Sequence, residues 1–432
     1  MIAFFLSAYY NSILVYSWSY FFRSFESPLP WTVAHNASDI LNEGYFNNQV
    51  LHRTASVEIL GGFQPGLFCL YIFSIVLCTL AIVKGVKVSG KITLVTASLP
   101  YLLLAVLLVR GLFLEGAGDA LQYLLTPQLS KLLRPGIWKD ACVQVFFQLS
   151  VGTGVPIMFS SFRERRAPIG RFTWLFCAGV GLCGLLSVVI VYIYMFHFAR
   201  LHGLQFEEVV VSGPSLAFVV FSQALALLPW PNLWSGLFYF TLILLGIDSE
   251  FGFMETVAAS VEDAIPDFKK WADPIAVRKV MGAILCCCSV LFSFGNGYHM
   301  VMLVDSFTCN LPIPLICLAE AYLIGHRLDY MALEAKQQQL TGAGSDRLLL
   351  REITGLRVTY ALLVILAIGL FEQLAYAWTL NFVLNLLGWS ITLSPVLLTL
   401  LFLKRGGSTL SIDELDIRNI YTKPRPLELE MY

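Results

Sequence analysis

Two stretches of the chain place oxygen donors or helix-breaking residues where the sequence is otherwise apolar. Leu245-Gly246-Ile247-Asp248-Ser249 sets a carboxylate beside a hydroxyl within a hydrophobic run. A carboxylate is costly in hydrocarbon, so it should face a cavity or a partner. Asp248 and Ser249 are hard donors, and the carbonyl of Leu245, about one helical turn earlier, could join them around a small cation. The competing reading is an aspartate at the end of a span, held in water. The second stretch runs from Cys142 to Pro156, where Gly152, Gly154 and Pro156 interrupt an apolar segment. Unwound backbone at membrane depth is tolerated where it is buried in protein or lines a cavity. Transporters use such breaks to bind ions and substrate, while a kinked helix without a ligand is the alternative. Asp305 could serve a gate or reach water by snorkelling, and Arg110 and Glu320 read as structural. Glu255 reads as interfacial. Six histidines are scattered without ligand spacing, and no Ser-His-Asp, phosphate-loop or HExxH arrangement occurs. An enzyme is therefore not expected.

The elements that must hold these residues follow from composition. The chain has 432 residues, 57% hydrophobic and 13% charged, with net charge −1. Soluble domains carry about 25% charge, so much of this surface does not meet water. No basic field for nucleic acid exists. The ten cysteines lie mostly in apolar stretches and form no disulfide or zinc pattern. A span needs about 20 apolar residues. Candidates occur at 1–22, 65–83, 92–113, 139–161, 172–198, 232–258, 279–295, 298–324, 358–379 and 383–403. Met1 to Phe22 has no basic leader or cleavage site and reads as a span, not a signal peptide.

The expected architecture is an all-α membrane protein with about ten transmembrane helices. The membrane domain covers 1–403, with a large extracellular loop at 23–64 and a cytoplasmic tail at 404–432. With Met1 inside, only Arg23, Arg53, Lys131, Arg134, Lys139 and Arg200 of the 28 Lys and Arg fall in outer loops, and Arg110 lies within a span. This bias predicts a cytoplasmic C-terminus. The sequon Asn36-Ala37-Ser38 falls in the first outer loop, making Asn36 the candidate glycosylation site.

Read in order, these strings resemble the neurotransmitter:sodium symporters (solute carrier 6). Tyr9-Tyr10-Asn11 with Leu29-Pro30-Trp31 is similar to the family's third helix and the start of its large outer loop. Lys84-Gly85-Val86-Lys87-Val88-Ser89-Gly90-Lys91 resembles the inner end of helix four, and Val109-Arg110-Gly111 resembles helix five. Trp138-Lys139-Asp140-Ala141 with Gln144-Val145-Phe146-Phe147 resembles the broken sixth helix, Gly213-Pro214 the fourth outer loop, and Leu245 to Ser249 helix eight. The resemblance implies an inverted-repeat transporter fold, of which this chain holds family helices three to twelve, with helices one and two missing. Two further apolar spans encoded upstream of Met1 would make Met1 a gene-model or isoform boundary, and without them no coupled transport is expected.

By the same resemblance, Leu245, Asp248 and Ser249 are the helix-eight half of a sodium site. Tyr10, Phe147, Gln148 and Asp305 become substrate and gate residues, and Gln144 a chloride ligand. Departures are specific. Gln148 stands where the family commonly has serine, Val180 and Gly184 where it has asparagine and serine, and Ser161-Phe162-Arg163 where it has Ser-Tyr-Asn. These leave the first sodium site and the chloride site without their usual ligands. The implied function is sodium-coupled symport of an amino acid, amine neurotransmitter or related zwitterion across the plasma membrane. The small molecule, Na+ and the lipid bilayer are the expected partners. The alternative is a non-transporting pseudo-transporter or regulatory membrane subunit that lacks the helix-one site.

Overall fold

In a computed structural model the chain is described at residues 1–32, 44–83, 86–162, 169–210, 213–264, 273–322 and 356–404. Helices dominate, and among the described residues the sole β contact is an isolated bridge between Phe63 and Phe294. The main helices are α1 (Ile2–Arg23), α2 (Pro65–Val83), α3 (Val86–Leu112), α4 (Ala117–Leu125), α5 (Pro135–Gln148), α6 (Val155–Ser161) and α7 (Ile169–His202). They continue as α8 (Phe221–Ala226), α9 (Pro231–Ala264), α10 (Pro274–Phe292), α11 (Gly297–Cys309), α12 (Pro312–Tyr322), α13 (Leu356–Trp378) and α14 (Phe382–Lys404).

Local chemistry sets many of the starts. Proline opens α2, α5, α9, α10 and α12. Its ring fixes φ near the helical value, and its missing N–H is one that no helical start could satisfy. Asp273 caps α10, its carboxylate accepting from the Ile275 N–H at 3.0 Å.

Each of the ten apolar stretches found in the sequence is helical, but not all alike. Among the described residues six helices are long and apolar enough to cross a bilayer, or up to seven if the bent pair of α3 and α4 is one span. That pair turns through 107° at Gly116, whose φ of 89° suits glycine. The first stretch, α1, lies outside the six. Its serines, tyrosines and Asn11 dilute its hydropathy, and most of them are buried against neighbouring helices. The stretch 298–324 is split at Asn310 and Leu311, ahead of Pro312.

The chain forms two compact units, Met1–Leu133 with Ala178–Ser306, and Arg134–Cys177 with Phe307–Tyr432. In the first, α1, α2, α9 and α10 share a core of Leu14, Ile75, Cys78, Ile247, Met254 and Leu285. One end of α1 is packed by rings: Tyr20 lies 5.0 Å from Trp31 and 4.9 Å from Tyr239, and Phe46 stacks on Phe218 at 5.3 Å. In the second unit, Thr392 of α14 donates to the Phe307 carbonyl at 2.9 Å, and Gly388 leaves room for the Phe307 ring. All ten cysteines are free thiols.

Helices α1 and α9 cross closely at Gly246, where an added Cβ would come within 2.5 Å of the Leu14 side chain. Gly246→Val therefore overpacks a filled core and should cost about 1–3 kcal/mol. Because Leu14 is the obstacle, adding Leu14→Ala should recover part of that loss. Thermal melts of the purified single and double variants in detergent measure the coupling, and strictly additive losses would contradict the contact.

Candidate ion and substrate site

Helix α9 carries the three expected sodium ligands. Asp248, Ser249 and the backbone of Leu245 sit within about one turn, each partly exposed. Ser249 Oγ donates to the Leu245 carbonyl at 3.1 Å, so two of the three oxygens are already neighbours. Asp248 Oδ1 accepts from Thr96 Oγ1 of α3 at 2.5 Å. No ion pair to Asp248 forms among the described residues. A carboxylate, a hydroxyl and a carbonyl form a hard-oxygen set that fits an alkali or alkaline-earth ion better than a soft metal. Among the described residues no group of three His, Cys, Asp or Glu could hold a metal.

The gate residues separate by position. Asp305 on α11 accepts from Tyr9 Oη at 2.5 Å. Tyr10, the tyrosine singled out by sequence, packs edge-on against Phe253 at 5.8 Å. Successive helical residues point about 100° apart, so the two tyrosines address different helices. Phe147, Gln148 and Gln144 lie on α5 in the second unit, Phe147 partly buried and both glutamines exposed. Asn36 lies outside the described residues.

The interruption expected in the fourth span is present. Helix α5 ends at Gln148 and α6 begins at Val155. Between them Ser150, Gly152 and Gly154 have φ of 54°, 73° and 87°. Thr153 Oγ1 donates to the Ser150 carbonyl at 2.6 Å, satisfying part of the unwound backbone. Gly152 is required twice over: by its positive φ, and because a Cβ would come within 3.2 Å of the Ile313 carbonyl and Cys317 Sγ of α12.

Several polar groups escaped sequence reasoning. Glu250 is 1% exposed and accepts from Ser7 Oγ of α1, while its other oxygen has no hydrogen-bond partner. Its charge within an apolar run was the available signal. Lys139 of α5 is buried and pairs with Glu372 of α13. Glu255, expected at the interface, is buried in protein. It is 3% exposed and clamped by Arg278 of α10 through Nε at 2.9 Å and Nη2, while Arg278 Nη1 reaches Glu262 at 3.0 Å. Two adjacent helices, α9 and α10, are thereby tied near one end.

Several apolar helices of membrane length define a polytopic integral membrane protein. Residues 1–405 match the model of the sodium:neurotransmitter symporter family, and the chain belongs to that family. It is 30% identical over 379 residues to the human sodium- and chloride-dependent neutral and basic amino acid transporter B(0+), covering 74% of this chain and 58% of that protein. It is 31% identical over 286 residues to the sodium- and chloride-dependent glycine transporter 2 of Xenopus laevis, covering 65% of this chain and 35% of that protein. It is 27% identical over 367 residues to the sodium- and chloride-dependent GABA transporter ine of Drosophila melanogaster, covering 79% and 39%. The chain thus spans between 35% and 58% of the length of these relatives.

The Arg278 clamp gives a graded test. Glu255→Ala strands a buried guanidinium and should cost about 3–5 kcal/mol. Glu262→Ala removes a partner whose side chain is 25% exposed and should cost about 1 kcal/mol or less. Melting temperatures of the two purified variants should rank in that order.

Proposed function

We propose that this protein works as a sodium-coupled symporter, moving an amino acid, an amine neurotransmitter or a related small zwitterion across the plasma membrane by alternating access. Family membership supports the class, and the printed substrates of the relatives, neutral and basic amino acids, glycine and GABA, support the range. The observation that carries the reading is Asp248. It is a partly exposed carboxylate on a membrane helix, bonded to a neutral hydroxyl and flanked by two further oxygen donors.

In this mechanism sodium is bound by Asp248, Ser249 and the Leu245 carbonyl. Coupling requires that sodium and substrate both bind one conformation more tightly than the other. Tyr10, Phe147 and Gln148 contact substrate, and Asp305 with Tyr9 forms a latch on the outer side. Gln144 is the chain's candidate for a chloride contact. The tail at 404–432 is cytoplasmic, and Asn36 carries glycan on the opposite side.

The test separates ion binding from transport. Purified protein should melt higher in NaCl than in choline chloride at equal ionic strength. At sodium ten times its Kd the stabilisation is about 1.4 kcal/mol. Asp248→Ala should abolish the difference, and Thr96→Val should reduce it by freeing the carboxylate to reorient. Sodium stabilisation unchanged in Asp248→Ala would overturn the site. In cells, uptake of labelled amino acids, glycine or GABA should fall to background when choline replaces sodium, and uptake indifferent to sodium would overturn the coupling.

A further inference from the structure

At the Arg23 end of α1, a half-open cavity of about 360 Å³ lies between α1, the start of α2 and the 44–64 segment. That volume falls in the range of small-molecule sites, about 300–1,000 Å³. It is lined by the apolar Phe22, Leu67 and Leu70 and by the polar Arg23, His52 and Gln64. No carboxylate is among its lining residues. A cavity that combines apolar side chains with a guanidinium and hydrogen-bonding neighbours matches a molecule with a tail and an anionic head.

Arg23 Nη1 donates to Tyr45 Oη at 2.6 Å, which fixes the guanidinium in place. Burial pushes the Tyr45 phenol above its ordinary range, against the pull of Arg23. The phenol therefore stays neutral and does not cancel the arginine charge. Guanidinium has five N–H donors, so the bond to Tyr45 leaves others for a ligand. His52 stands at φ 43°, a left-handed conformation unusual for a side-chain-bearing residue. Such conformations are held only where their surroundings impose them, and they cluster at ligand sites. The cavity is open over Gly66, where an added Cβ would meet nothing within 4 Å.

The apolar lining continues to the protein surface. Phe22 stacks on Trp18 at 5.6 Å, and Phe22 and Phe73 are 49% and 43% exposed. Aromatic rings near the end of a membrane helix are typical of the headgroup level.

We propose that this cavity binds an anionic amphiphile, its carboxylate or phosphate head held by Arg23 and His52 and its acyl chain laid along Phe22, Leu67 and Leu70. Gln64 adds an amide donor to the head. The site shares no residue with the Asp248 region, so it stands or falls separately from ion coupling.

Photolabelling tests it with the purified full chain in detergent. Three probes carry the same diazirine-bearing sixteen-carbon chain: the free fatty acid, the phosphatidic acid and the uncharged alcohol, each about 10 μM, chosen to sit in the usual range of moderate affinity. Labelled peptides are mapped by mass spectrometry. Labelling of the 19–23 and 64–70 segments by an anionic probe should exceed that by the alcohol at least fivefold. Arg23→Gln with His52→Gln should bring it down to the alcohol level. Gly66→Phe, which fills open space at a helix start without touching the charges, should block it as well. Labelling by the fatty acid alone, by the phosphatidic acid alone or by both supports the site and names the source of the head. Equal labelling by the alcohol, no labelling by either anion, or labelling untouched by Gly66→Phe overturns it.

Discussion

A bilayer offers no water to a buried carboxyl, and that constraint organises the first unit. Helix α9 carries Asp248, Glu250, Glu255 and Glu262 along its length, and each is met by a group from another helix. Thr96 of α3 serves Asp248, Ser7 of α1 serves Glu250, and Arg278 of α10 serves Glu255 and Glu262. An uncompensated carboxylate in hydrocarbon would destabilise the helix that bears it, so these contacts fix which helices surround α9 and in what rotation. The apolar core of Leu14, Ile75, Ile247 and Leu285 fills the space that the polar contacts define.

The partners differ in kind. Glu255 meets a guanidinium, which neutralises it and satisfies both its oxygens. Asp248 and Glu250 meet hydroxyls, which donate one hydrogen bond and leave the charge to be dealt with in some other way. Of these two, Glu250 is closed off at 1% exposure, whereas Asp248 is partly exposed and has the Ser249 hydroxyl and Leu245 carbonyl beside it. The two carboxyls thus differ in access: Asp248 is partly exposed beside further oxygen donors, and Glu250 is closed off.

What the sequence made legible follows from how local each cause is. The helices under the ten apolar stretches, the proline starts and the break at Gly152 and Gly154 are written in neighbouring residues, and each is present. The contacts that define the site are not local. Thr96 and Asp248 are 152 positions apart, and Ser7 and Glu250 are 243 apart, so no spacing rule could pair them. Tyr9 and Tyr10 illustrate the same point: Tyr9 reaches Asp305, 296 positions away, while Tyr10 packs against Phe253. The two are adjacent in sequence and about 100° apart around the helix, and only packing decides which faces α11. Glu255 read as interfacial because its partner Arg278 is 23 positions away in sequence.

The same division separates rigid from yielding backbone. Along α1 and α9 the seam is tight: Gly246 admits the Leu14 side chain and nothing larger, and the rings around Tyr20 fill the far end. A change of backbone conformation is absorbed most readily where backbone is already free of helical bonds, since a few loop or helix-terminal residues take up most of such a change. In the second unit, Leu149 to Gly154 and Asn310 to Leu311 interrupt their helices. The first of these carries three positive φ values within five residues. It also fits closely against α12, where a Cβ on Gly152 would come within 3.2 Å of the Ile313 carbonyl. A substitution there would act on the backbone conformation itself rather than on any ligand contact. Glycine, rather than a donor side chain, is therefore what the backbone geometry between Gln148 and Val155 depends on.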